Sequence, residues 1–228
     1  MDIPDDTVHV ARRNTLISAL QEIETFLILP DQNQRVNLWV RKIGTMTSNV
    51  NFHLARSSSI YMVPQNESGA VLDGEVWKTL NSGVSSYKNV LNNPTEFYHG
   101  ILSFNFDKYL NESITWHTEL NKFPKENCKD LYTIVLKEMM HVLGVTSLMN
   151  AAGKCVFGDE YKYFSRFDTK LVNNNQDTNL IYNTSTDNIH NWAFSSQLVS
   201  SILRPNCSLN NATNPNTIDH TNCGDEIY

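Results

Sequence analysis

The sequence predicts an α+β fold. Three observations carry this. A helical rhythm of apolar residues near the start gives way to runs that alternate or cluster as strands do. A second and stronger helical run follows at 129–143. Beyond about residue 150 the chain turns polar and loop-rich. With 228 residues, 40% of them hydrophobic and 18% charged, the chain can build a packed core in one large domain, or in a domain with a subdomain.

Leu16, Ala19, Leu20, Ile23 and Leu27 fall at helical spacing, which predicts a helix over 12–29 that Pro30 ends. VNLWVRKI (36–43) alternates apolar and polar residues like a half-buried strand. SSIYMV (58–63) and HGILSFNF (99–106) are further strand candidates, and the stretch between them, with Gly69, Gly74, Gly83 and Pro94, reads as loops. Over 129–143, Leu131, Val135, Met139 and Val142 form a buried stripe, and Gly144 stands where a glycine ends a helix. NNNQDTN (173–179) reads as a surface loop and QLVSSIL (197–203) as a short helix. No internal repeat or linker is evident. The expected organisation is an N-terminal subdomain at 1–148 and a loop-rich C-terminal subdomain at 149–228.

The net charge is −6 and no basic run occurs, which argues against nucleic acid or an anionic membrane surface as a partner. No apolar stretch approaches the roughly 20 residues of a membrane span. The start, MDIPDDTVHVARRN, is acidic and polar and does not read as a signal peptide. Either the protein is not secreted by that route, or its leader precedes Met1, which is the preferred expectation. Cys128, Cys155, Cys207 and Cys223 include no CxxC pair, so a cysteine zinc site is not expected. Their grouping suggests bridges Cys128–Cys155 and Cys207–Cys223, with other pairings and four free buried thiols as the alternatives. Sequons at Asn66, Asn111, Asn183, Asn206 and Asn211 are candidate glycosylation sites, although a chain this rich in Asn, Ser and Thr yields several by chance.

The segment KEMMHVLGVTSL (137–148) carries the most chemistry. In an HExxH helix, i and i+4 share a face, so two imidazoles reach one Zn²⁺ and the glutamate at i+1 polarises the zinc-bound water. Here the frame is Lys137, Glu138, Met139, Met140, His141, followed by Val142, Leu143, Gly144 and, three residues later, Ser147. With its preceding apolar run, this segment resembles the active-site helix of metzincin-like zinc metallopeptidases, especially leishmanolysin-like ones and related secreted bacterial peptidases. The resemblance implies a zincin-like fold: a twisted, mixed sheet with an active-site helix and an irregular C-terminal subdomain. It implies Glu138 in the general-base position and His141 as a zinc ligand. HGILSFNF resembles the strand that precedes the helix, and YKYFSRFDTKL (161–171) the aromatic segment that follows it. IDHTNCGD (218–225) falls where a late third ligand would stand, which would be His220.

Three departures matter. Lys137 replaces the first histidine, Ser147 stands where the compact pattern has its third, and no methionine follows His220. An ammonium has no lone pair to give a metal. At about 4 Å and an effective dielectric of about 20, two unit charges interact by about 4 kcal/mol, and a divalent ion doubles that repulsion. The segment that marks the fold thus argues against catalysis, and Lys137 can stand in the metal's place near Glu138 and His220.

Other residues have plainer readings. His141 is either a relic ligand or a satisfied core histidine, and His220 either a ligand or a loop residue near Cys223. Asp168 is either a metal ligand or, as preferred, a structural carboxylate capping a turn or helix. His53, His99, His117 and His190 are isolated, and Trp39, Trp77, Trp116 and Trp192 read as packing residues. Three functions follow: an inactive pseudoprotease with a binding or structural role, an active zinc endopeptidase, and an unrelated globular binding module. The first is preferred. It expects no cofactor, with zinc only if the site works, and a protein partner or peptide substrate. Its expected location is extracellular, on a cell surface or on a virus particle.

Overall fold

The computed structural model describes residues 6–31, 34–43, 54–63, 69–86, 97–106, 113–149, 154–158 and 160–171, and the backbone alone of 108–109, 112, 181–183 and 192–194. In chain order the elements are α1 (Thr7–Phe26), β1 (Leu38–Lys42), β2 (Ala55–Ser59), β3 (Gly69–Leu72), α2 (Glu75–Ser82) and β4 (Gly100–Phe104). The two-residue strands β5 (Lys108–Tyr109), β6 (Glu112–Ser113), β7 (Trp116–His117) and β8 (Lys129–Asp130) follow. The chain continues through α3 (Leu131–Val142), β9 (Lys162–Ser165), a 3₁₀ turn (Asp168–Lys170), β10 (Ile181–Asn183) and β11 (Trp192–Phe194). The architecture is mixed α and β, with small mixed sheets and three helices among the described residues.

The chain divides into two compact units, one of Met1–Ile60 with Glu75–Leu143, the other of Tyr61–Gly74 with Gly144–Tyr228. The second is therefore discontinuous in sequence, and Tyr61–Gly74 belongs with it although sequence order places that segment inside the expected 1–148 subdomain.

In the first unit, α1 begins earlier than its apolar rhythm because Asp6 caps it: the carboxylate accepts from the Val8 N–H at 2.8 Å and the His9 N–H at 3.3 Å. Thr15, Ala19 and Ile23, four residues apart, form its buried stripe. The sheet runs β1-β4-β2, with β1 parallel and β2 antiparallel to the central β4. β2 reads ARSSS, without the apolar alternation expected of a strand, and lies at 55–59 rather than 58–63. Pairing with β4 holds it, through a register that sets Ser57 opposite Leu102. The helix α2 was expected to be loop. Its eight residues are too few to show a helical period, yet Val76, Thr79 and Leu80 are buried. Leu102 and Phe104 from β4, Val76 and Leu80 from α2, Ala19 and Ile23 from α1, and Leu131, Val135, Met139 and Val142 from α3 make one core. Gly100 lets strand and helices close up: a Cβ there would stand 2.9 Å from Val142 Cγ1 and 3.0 Å from Val76 Cγ2.

In the second unit, β3 pairs with β9 in parallel, Gly69 opposite Lys162 through Leu72 opposite Ser165. Ala70, Leu72, Leu148, Cys155 and Tyr163 form its core. Arg166 clasps Asp73 with two parallel bonds, Nε to Oδ1 at 2.7 Å and a terminal nitrogen to Oδ2 at 2.6 Å. β10 and β11 form an antiparallel pair.

Candidate functional site

The site builds from α3. Asp130 caps the helix, its carboxylate accepting from the Thr133 N–H at 3.2 Å and from the Thr133 hydroxyl at 2.5 Å. Leu131, Val135, Glu138, Met139, His141 and Val142 are buried. Leu143 caps the far end, its N–H donating to Met139 O at 2.8 Å. Gly144 then turns the chain at φ +108°, where a Cβ would meet nothing within 4 Å; conformation rather than space requires glycine there.

Glu138 is only 4% exposed although it is a carboxylate on a helix. A buried charge needs donors, and two elements bring them. Ser57 of β2 donates its hydroxyl to Glu138 Oε2 at 2.5 Å, with the Glu138 main-chain carbonyl at 2.9 Å from the same oxygen. Lys137 places its ammonium 3.9 Å from Oε1. The carboxylate is thus held between a strand hydroxyl and the neighbouring cation. His141 is buried in the same helix, with its Nε2 atom wholly shielded from solvent. Sequence reasoning pointed to Lys137, Glu138 and His141 but missed Ser57, whose partner lies 81 residues away. No local pattern could have signalled it.

No family model, no curated protein and no solved structure matches the chain.

His220, Cys207, Cys223, Asn66, Asn111, Asn206 and Asn211 lie outside the described residues, as does the side chain of Asn183, whose backbone belongs to β10. Cys128 is half-buried and Cys155 buried, and both are free thiols, so the expected bridge between them is not made in this structure. Cys155 instead packs in the second core. Among the described residues no group of three or more His, Cys, Asp or Glu side chains could hold a metal ion. No helix among them is long and apolar enough to cross a membrane.

Asp168, fully buried, is the hub of the second unit. Its carboxylate accepts from the Ser147 hydroxyl at 2.5 Å, the Leu148 N–H at 3.0 Å and the Ser165 N–H at 2.7 Å. Burial raises its pKa above the ordinary carboxylate value, against the opposing pull of these donors. Ser147 therefore ties the segment after α3 to the 3₁₀ turn.

Proposed function

We propose that this chain is a metallopeptidase-fold protein of the zincin type that has lost catalysis and serves a binding or structural role. Glu138 and the two residues on it carry the reading. A general base must reach a water, and here a carboxylate with little exposure already accepts the Ser57 hydroxyl on one oxygen and has the Lys137 ammonium 3.9 Å from the other. Lys137 stands at the position of the first histidine of the HExxH frame, where an ammonium offers a metal no lone pair. The donor set therefore does not fit a resident zinc, and no step of a hydrolytic cycle is assigned to this helix. Glu138 and His141 are relics of such a site, as is His220, and Lys137 replaces the metal's charge beside Glu138. A protein partner suits a fold retained without its reaction, and a secreted setting suits the peptidases that the motif resembles.

The test is metal content with activity. Purified protein should carry zinc well below one equivalent and leave a denatured protein substrate intact. Stoichiometric zinc with cleavage abolished by Glu138→Gln would sink the proposal and favour an active endopeptidase. Lys137→His sharpens it: the variant should take up zinc more tightly than the parent by at least about tenfold, since one neutral ligand replaces a repelling charge.

A further inference from the structure

A concavity lies in the first unit, between the opening turns of α1 and the strand β7. It is a cavity of about 240 Å³ lined by Thr7, Val8, Ala11, Arg12, Trp116 and Thr118. Its chemistry is set by Arg12. The guanidinium is stacked on the Phe106 ring, 4.4 Å from the centroid, and Phe106 meets Trp116 edge-on at 5.5 Å. Stacking fixes the plane of the cation and leaves its N–H edges for acceptors. Among the described residues Arg12 makes no hydrogen bond or ion pair, and with its Nε shielded from solvent the terminal N–H groups are the ones left to a ligand. A buried donor left unmade costs about 1–3 kcal/mol, so a group of this kind calls for an explanation. The helix end is not the attraction, because Asp6 already satisfies the N–H groups of Val8 and His9. Trp116 is fixed as a wall, its indole N–H donating to Asn105 O at 3.2 Å.

We propose that this cavity binds a small monoanionic carboxylate with a compact apolar tail, its carboxylate paired with Arg12 and its tail against Trp116, Val8 and Ala11. A planar, stacked guanidinium matches a carboxylate through two parallel bonds. One cation favours a single negative charge, and the Asp6 carboxylate, within electrostatic reach of Arg12, disfavours a dianion such as phosphate. The threonine hydroxyls at the rim can serve the remaining oxygen lone pairs. The volume fits a body of amino-acid size, so the carboxylate can belong to a free acid or to the last residue of a peptide. This site shares no residue with the Glu138 cluster and stands or falls apart from it.

Titration of the whole protein with isovalerate, followed by ¹⁵N–¹H spectra, tests the proposal. Saturable shifts are expected at the amides of Val8 to Arg12 and at the Trp116 indole, with isovaleramide binding at least about tenfold more weakly because it lacks the charge. Arg12→Gln should lose a similar factor. Equal binding of acid and amide, unchanged binding to Arg12→Gln, or no saturable shift with isovalerate overturns the proposal. Should Arg12→Gln fail to fold, Ala11→Leu fills the apolar wall while keeping the guanidinium. It should abolish the shifts, and binding retained in that variant is equally fatal. N-acetylglycyl-leucine, compared as acid and amide, separates the sources: tighter binding than isovalerate marks a chain terminus, weaker binding a free acid.

Discussion

Ser57→Ala removes one hydroxyl from the only strand that reaches the Glu138 carboxylate among the described residues, and the cost can be worked from the geometry. The bond is 2.5 Å long and its acceptor is a carboxylate with 5% of its side chain exposed. Hydrogen bonds to charged groups contribute about 1.5–3 kcal/mol, and alanine offers no donor in return. Lys137 stands 3.9 Å away, where the gross attraction between unit charges is about 4 kcal/mol at an effective dielectric of about 20. The carboxylate therefore stays buried with one donor fewer. The expected loss is about 2 kcal/mol of unfolding free energy, a large share of the 5–15 kcal/mol typical of a domain. Urea unfolding at pH 7, followed by tryptophan fluorescence, should show the midpoint fall by about 1 M for a slope of about 2 kcal/mol/M. Ser57→Ala combined with Lys137→Met should depart from additivity by at least about 0.5 kcal/mol, because both act on one carboxylate. A midpoint shift under about 0.25 M with an unchanged slope would refute the reasoning. Glu138 would then not be held by the strand, and the main support for an inactive site would go with it.

Three further outcomes follow from the same physics. Gly144→Ala forces a side chain into φ +108° and should cost about 1–2 kcal/mol, read as a lowered urea midpoint, although the added methyl meets nothing. Asp168→Ala strips the acceptor from Ser147, Leu148 and Ser165 and should cost about 3 kcal/mol or more, whereas Asp168→Asn, which keeps one oxygen for the two N–H donors, should cost less; equal losses in thermal unfolding would be contrary. His99 has its pKa lowered by burial, and its Nδ1 accepts the Asn37 N–H at 3.0 Å. The unfolded chain thus binds the proton more readily, so this contribution is complete above the unfolded value of about 6.5 and is lost as pH falls through it toward the folded value. The urea midpoint of the parent should therefore drop between pH 7.5 and 5.5 by more than that of His99→Gln.

The parts of the fold legible in the sequence are those held by local pattern. The stripe on α3 and its glycine end were visible because four apolar residues and Gly144 suffice to define them. α1 was visible as a helix but not in its start, since Asp6 caps a first turn that has no apolar rhythm. β2 was displaced because three consecutive serines carry no strand period, and only pairing with β4 makes them a strand. The same holds for β3, whose partner β9 is distant in sequence. At the site, Lys137, Glu138 and His141 follow from helix geometry alone. Ser57 depends on the sheet register that brings it beneath α3, and nothing near it in sequence announces that role.

The discontinuity of the second unit has a consequence for how the chain is made. Asp73 meets Arg166 from 93 residues upstream, and β3 meets β9 across a similar span. At roughly 5–20 residues per second of synthesis, β3 waits roughly 5–20 s for its partner, an unpaired strand with an apolar face. Nor can the second unit be cut free as one piece: a chain ending at Leu143 would keep Tyr61–Gly74 while losing β9, the strand with which β3 pairs. Such a truncated chain would carry an unpaired strand edge and should associate with itself through it.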